Sequence, residues 1–343
     1  MPTRRVGNTT IVRELGRGAM GVVYEGVQDD LERTVAVKEL PPAATRNKEL
    51  AERFRREGVA YAKLRHQNIL AVHDFVEKND SLYLVMEYVD GKDLAHVGKK
   101  GALPAGLVAA IGARVADALA HAHHHKVLHR DVKPANAIIS RAGEVKLMDF
   151  GVAKDLQASD LTREGMVVGS LPYMAPEVLA SADYDPRADI WALGVMLYEL
   201  ATGVRPFRGK DDSSLMRAIM RGKHEHVRTF ARDMPRRLGR AIERCLARRR
   251  EKRWPAALLL ARELEACAAA LLGDKDPEDL LAEMMVARGL TEAESNPSTK
   301  LDPDVMHETG VAPPPPRGGD TRVVAVALLM LLVLLAGGYF ILS

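Results

Sequence analysis

Residues 127–139 read VLHRDVKPANAII. His129, Arg130, Asp131, Lys133 and Asn136 sit there among Val127, Leu128, Val132, Ile138 and Ile139, which read as buried or half-buried positions. A charge held near apolar walls is costly unless it has a partner or a task. Here the polar groups are complementary. Asp131 can accept a hydroxyl proton or orient that hydroxyl for attack. Lys133 can neutralise phosphate charge nearby, and Asn136 offers an oxygen to a hard cation.

Downstream, LMDFGVAK (147–154) places Asp149 after an apolar, strand-like run, where its carboxylate could bridge a magnesium ion. Upstream, GRGAMGVV (16–23) sets Gly16, Gly18 and Gly21 where backbone amides can approach a phosphate. A dinucleotide-binding turn shares that spacing, but here strand-like GVVYEGV follows instead of a helix, so that reading falls and a plain hairpin turn is the alternative. VAVK ends in Lys38, whose stem lies in a β-period with Val35 and Val37. It is either an edge lysine reaching outward or a point charge for phosphate oxygens. Such a charge needs an acid to hold it, and Glu57 or Glu52 on the helical stretch KELAERFRREGVAYAKLR (48–65) can supply one.

Around that helix, residues 9–90 alternate in short β-like runs: TTIVRELG, GVVYEGVQ, RTVAVKEL, AVHDFVEKND and SLYLVMEYV. Beyond residue 104 the chain turns helical, with Ala- and Leu-rich segments at 104–124, 187–203, 235–248 and 255–272. The expectation is an α+β fold, a small β-rich lobe (9–90) joined to a larger helical lobe (91–272).

The order GRGAMG, VAVK, Glu57, HRDVKPAN, DFG, APE (175–177) and DIWALG (189–194) resembles the eukaryotic-type protein kinase family in its bacterial serine/threonine form, over about residues 9–270. The resemblance implies a bilobal kinase fold and ATP-dependent transfer to Ser/Thr hydroxyls. It implies that Lys38, Glu57, Asp131 and Lys133 are catalytic, with Glu57 paired to Lys38. ATP would lie against Leu15, Gly16, Arg17, Gly18, Ala19, Met20, Gly21, Val23, Ala36 and Lys38. Met86 would be the gatekeeper of the hinge VMEYVDG, and the backbone of Glu87 and Val89 would bind adenine. Asn136 and Asp149 would hold Mg²⁺, with Mn²⁺ as the other candidate, while Glu177, Arg253 and Asp189 would be structural. Lys133 matches the serine/threonine pattern, because tyrosine kinases typically place Arg and Ala there.

In the family an Arg at position 130 often awaits a phosphate on the activation segment. GVAKDLQASDLTREGMVVGSLPYMAPE (151–177) offers Ser159, Thr162 and Ser170. Ser170 matches a position that contacts the catalytic Asp and Lys. Thr162 is the expected autophosphorylation site, with Glu164 as a built-in acid the alternative. His121, His125 and His129 recur at fourfold spacing, which suits a shared metal or a solvated helix end. Two rivals differ in class. A membrane-tethered pseudokinase scaffold usually lacks the Lys or an Asp, and none is lacking here. A small-molecule phosphotransferase of the aminoglycoside type would lack APE and DIWALG.

Composition bounds the rest. Of 343 residues 47% are apolar, enough for a sizeable core, and the two cysteines, Cys245 and Cys267, imply no disulfide framework and a reducing compartment. MPTRRVGNTTIVREL has no apolar segment, so no signal peptide is expected. VVAVALLMLLVLLAGGYFIL (323–342) is without charge and, at about 1.5 Å per residue, spans roughly 30 Å, the thickness of a bilayer core. The expectation is a single-pass cell-membrane anchor, with Arg317 and Arg322 favouring a cytoplasmic kinase domain and only Ser343 beyond it. Residues 273–321, with 4 basic and 11 acidic side chains and Pro313 to Pro316, read as an acidic juxtamembrane linker in which DPEDLLAEMMVARGL can form one amphipathic helix. Residues 1–272 are net basic, with 44 basic against 35 acidic side chains, including RRLGRAIERCLARRREKR. That run is a solvated face or an attractor of anionic lipid or acidic substrate. No aromatic platform accompanies it, so no nucleic-acid role is expected. Protein substrates, a second copy in trans and the membrane are the expected partners.

Overall fold

The computed structural model describes residues 4–18, 21–40, 52, 55, 58–79, 81–150, 170–181 and 184–291. Alternating β-branched residues at the amino-terminal end form a six-stranded antiparallel sheet from β1 (Arg5–Val6), β2 (Thr9–Gly18), β3 (Gly21–Gln28), β4 (Arg33–Leu40), β5 (Val72–Lys78) and β6 (Ser81–Glu87). Its order is β1-β2-β3-β4-β6-β5. The lobe begins earlier than residue 9, because Val6 pairs with Thr9 and is itself buried. The two central strands are covered on both faces. Val35, Val37, Tyr83 and Val85 pack beneath Val6 on one side. Ala36, Leu82, Leu84 and Met86 face Tyr61 and Leu64 on the other, where the helical stretch ending at residue 62 lies.

The carboxy-terminal lobe starts at β7 (Gly91–Asp93), followed by α1 (Leu94–Gly98) and α2 (Ala105–His124). β8 (Ala137–Ser140) and β9 (Val145–Leu147) close a small sheet in the order β7-β8-β9. Then come α3 (Pro176–Ser181), α4 (Pro186–Thr202), α5 (Asp212–Arg221), α6 (Val227–Phe230), α7 (Arg236–Cys245), α8 (Ala257–Leu272) and α9 (Pro277–Ala287). Ala- and Gly-rich α2 is buried nearly all round, which lets α4 and α8 approach it closely. α4 starts at the Asp185 cap with Pro186 in its first turn and stops at Gly203, whose φ of 74° suits glycine.

The helical lobe does not stop at 272, where a linker was expected. α9 buries Leu281 and Met285, and a side chain at Gly143 would collide with the backbone of Glu278. Arg288 donates to the carbonyls of Val97, Gly101 and Ala102 at 2.8–3.0 Å. Residues 292–321 of that linker and the apolar stretch 323–342 lie outside the described residues.

One buried ion pair spans this lobe. Arg253 is 1% exposed and meets Glu177 with both arms, at 2.6 and 2.8 Å. Its remaining donors reach the carbonyls of Ala247, Arg187 and Arg248, and its guanidinium lies 4.8 Å from the Trp191 ring centre. Removing one partner of such a pair strands a buried charge. Arg253→Ala should lower the unfolding free energy by about 3–5 kcal/mol, read by urea denaturation. A loss below about 1 kcal/mol would place the pair with weak surface bridges.

Candidate active site

The polar loop between α2 and β8 is held by a carboxylate from another helix. Asp189, in the first turn of α4, is fully buried. It accepts the backbone N–H of His129 and of Arg130, each at 2.9 Å, together with His123 Nε2 at 2.8 Å and the Tyr184 hydroxyl at 2.9 Å. Two successive N–H groups can face one carboxylate because Arg130 takes the left-handed region, φ 63°. Burial alone would raise the Asp189 pKa; the His123 hydrogen bond and the neighbouring histidines outweigh it and hold the carboxyl below its ordinary value.

His129 then joins two loops. Its Nδ1 accepts from the Asp131 N–H at 3.2 Å, so Nε2 carries the proton and donates to the Met148 carbonyl at 3.0 Å. Burial keeps this imidazole neutral by lowering its pKa. Its ring lies 4.5 Å from Phe150, and Phe150 lies 5.0 Å from Tyr61.

The reactive groups follow from these supports. Asp131 is 8% exposed, and its Oδ2 accepts from Asn136 Nδ2 and Lys133 Nζ, both at 2.9 Å. Asn136 Nδ2 also reaches the Asp131 carbonyl at 2.8 Å, and Lys133 Nζ donates to Ser170 Oγ at 3.1 Å. Across the cleft, Lys38 on β4 meets Asp149 Oδ1 at 2.6 Å. Asp149 is also left-handed, φ 57°, a conformation that a non-glycine residue adopts at a cost.

The remaining expected positions fall around this pair. Val23 is half-buried, Ala36 and Met86 are buried, and Leu15 stands at the rim. Gly16 pairs with Val23 and Gly18 with Gly21 across the hairpin. The Arg17 side chain is engaged by Glu14 at 2.9 Å. The Glu87 side chain is a support, accepting from Ala71 N at 3.1 Å and Lys146 Nζ at 2.8 Å. Val89 packs half-buried against the core. Ala19, Met20, Glu57, Ser159, Thr162 and Glu164 lie outside the described residues. The histidine row is split. The His121 ring lies 4.5 Å from that of His125 and 5.0 Å from that of His66, tilted against both, while His129 belongs to the polar loop. Among the described residues no three His, Cys, Asp or Glu side chains gather as a metal site. His123, Tyr184 and Lys146 were not among the expected site residues, and only His123, within HAHHH, had any local signal.

This donor set fits ATP with a divalent cation. Asp149 and Asn136 offer oxygens to a hard cation, and Lys38 offers one ammonium to phosphate. A Cβ built on Gly16 meets nothing within 4 Å, so the backbone there is open to approach.

Residues 9–264 match the family model of the protein kinase domain. The chain belongs to the protein kinase family. It is similar to the serine/threonine-protein kinase PrkC of Bacillus subtilis, 37% identical over 210 residues that cover 61% of this chain and 32% of that protein. It is also similar to the tyrosine-protein kinase MasK of Myxococcus xanthus, 34% identical over 275 residues, 76% of this chain and 43% of that protein. The crystal structure of the Mycobacterium tuberculosis PknI kinase domain superimposes with a TM-score of 0.63 at 33% identity, covering 78% of this chain and 99% of that one. The chain spans less than half the length of these curated relatives. The kinase fold, a β-rich amino-terminal lobe on a helical carboxy-terminal lobe, is thereby established.

The neutral histidines set a pH window. Burial depresses His129 and His121 below 6.5, so just below that pH the unfolded chain binds more protons than the folded one. Their contribution is complete above 6.5 and is lost as pH falls through it. The unfolding free energy should be lower at pH 5.5 than at pH 7; equal values would mean that His129 can charge in place.

Proposed function

We propose that this chain catalyses ATP-dependent phosphoryl transfer to Ser/Thr hydroxyls of proteins. The observation that carries this reading is the joining of two charge clusters, Lys38 with Asp149 and Asp131 with Lys133 and Asn136, through the Met148 N–H donated to the Asn136 carbonyl. ATP with Mg²⁺ supplies the phosphoryl group. Lys38 would neutralise phosphate charge, while Asn136 and Asp149 would hold the cation. Asp131 would orient the acceptor hydroxyl and take its proton. Lys133 lies near enough to Asp131 to offset negative charge as the new bond forms. Positioning and charge neutralisation are what this reaction asks of a protein, and little covalent chemistry is required.

Ser/Thr is favoured as acceptor by Lys133, which carries the serine/threonine pattern; the name of PrkC supports it, and that of MasK makes the acceptor worth measuring. Glu57 would pair with Lys38, and the backbone of Glu87 and Val89 would receive adenine. Thr162 would be phosphorylated in trans, and Arg130 would pair with that phosphate and help order the segment. Incubation with labelled ATP and Mg²⁺ should label the wild type on Ser and Thr, with Thr162 among the sites found by mass spectrometry. Asp131→Asn should reduce transfer by about 10²–10⁴ while retaining nucleotide binding. Equal labelling of the two proteins would overturn the assignment.

The apolar stretch 323–342 would anchor the chain in the cell membrane with the kinase domain in the cytoplasm. Confinement to a surface raises the encounter rate between copies. The full chain should remain in the pellet of a carbonate-washed membrane fraction, and a chain ended after residue 321 should leave it. Release of both would remove the anchor.

A further inference from the structure

The arginine-rich run 236–253 takes no part in the cleft described above. On α7 the one acid, Glu243, turns inward. It accepts from His224 Nε2 at 2.9 Å and from the Val227 N–H at 2.8 Å, so Arg236, Arg240 and Arg244 dominate the exposed face. The run continues into Arg248 and Arg249, both exposed and neither with an acidic partner among the described residues. These two arginines line a groove of about 530 Å³, whose apolar walls are Pro176 and Ala180 on α3 and Met220 on α5. The two acids at its edge are already occupied, Glu177 by Arg253 and Glu251 by Arg250.

The groove is built rather than incidental. Gly222 ends α5 with φ 64°, and a Cβ there would lie 2.7 Å from the Arg248 Cβ. Only glycine lets the arginine stem lie against the helix end, which fixes where the guanidinium starts from. The groove also sits beside the catalytic loop. Pro176 follows Ser170 by six positions, and Ser170 Oγ is 3.1 Å from Lys133 Nζ. Six residues span at most about 20 Å. A substrate held at Asp131 can therefore reach the groove with a short extended segment.

We infer that this groove docks an acidic peptide segment with a central apolar side chain, carried by the protein substrate a few residues from its acceptor hydroxyl. Guanidinium forks bind carboxylates in two-pronged geometry, and Met220 beside Ala180 offers an adaptable apolar floor. A concave site suits a peptide better than a bilayer, whose surface cannot enter it. The inference rests on protein phosphorylation as the activity, but its test does not require turnover.

The probe is a fluorescein-labelled peptide of Asp and Glu around two Leu, without hydroxyl residues, read by anisotropy with the full chain in neutral detergent. Its control is the Asn/Gln isostere. The acidic peptide should bind about ten-fold tighter than the control, and added salt should narrow the gap. Arg248→Glu combined with Arg249→Glu should abolish the preference, and Arg249→Glu alone should weaken it, each at an unchanged melting temperature. Arg236→Glu with Arg240→Glu, on the same basic surface but outside the groove, should leave it intact, as should Asp131→Asn. Equal binding of the two peptides would overturn the proposal. So would equal loss from both double substitutions, or displacement by an oligothymidylate at matched charge, since each points to non-specific attraction. Loss of transfer without loss of peptide binding would instead count against the catalytic reading alone.

Discussion

The buried carboxylate of Asp189 is the constraint on which the catalytic loop depends. A loop with this many polar groups has many competing conformations, and fixing one costs on the order of 1–2 kcal/mol of entropy per residue. Asp189 removes that freedom from below. It binds two consecutive amides, so the peptide planes at His129 and Arg130 are set together, and the left-handed Arg130 follows from that double demand. His123 and Tyr184 complete its shell, which keeps the carboxylate ionised although fully buried. Asp131 is then the next residue along a backbone already fixed.

The same logic carries the order across the cleft. His129 donates to the Met148 carbonyl, the last peptide before Asp149, and Met148 N–H donates to the Asn136 carbonyl at 2.9 Å. The two loops are thus joined through Met148, by a side-chain bond to its carbonyl and a backbone bond from its N–H, beside Asn136 and Asp149, the pair proposed to hold the cation. Lys38 meets Asp149 from the other lobe, so the sheet and the helical lobe are joined by an ion pair between two groups assigned to the reaction. Both charges are only partly buried, 13% and 26% exposed, so the attraction is moderated by solvent and can be exchanged for phosphate and metal. In the Arg253–Glu177 pair the guanidinium is fully buried and its other donors are taken by backbone carbonyls, so that pair acts as a fastener.

Much of this was legible in the sequence because short, rigid segments carry it. HRDVKPAN spaces Asp131, Lys133 and Asn136 so tightly that they meet in the fold, whereas Glu177 and Arg253, which also meet, are 76 positions apart. What was not legible depends on tertiary placement. Nothing near His123 in the sequence says that it, rather than His121 or His125, reaches α4; helix phase and the approach of α4 decide that. Glu87 was expected for its backbone, yet its side chain ties the end of β6 to Ala71 and Lys146. The boundary at 272 misled because the acidic composition beyond it resembles a linker, while Leu281, Met285 and Arg288 dock one more helix onto the lobe.

Length and mean hydropathy alone do not separate the two long apolar segments, but their charge content does. α2 has 20 residues and an 18-residue window of mean hydropathy 1.3, enough to cross a bilayer by length and composition. Yet it contains Arg114 and Asp117, and both have partners: Arg114 reaches Glu265 at 3.4 Å and Asp117 accepts from His66 at 3.1 Å. Its apolar residues are consumed by α4, α8 and the sheet of the helical lobe. A core helix can carry charges because one flank meets polar neighbours or water. A helix surrounded by lipid has no such flank, and each charge at its centre costs about 2.5–3.5 kcal/mol even by insertion scales. Residues 323–342 carry none, and that absence of charge, more than their hydropathy, is the ground on which a membrane anchor is proposed for them.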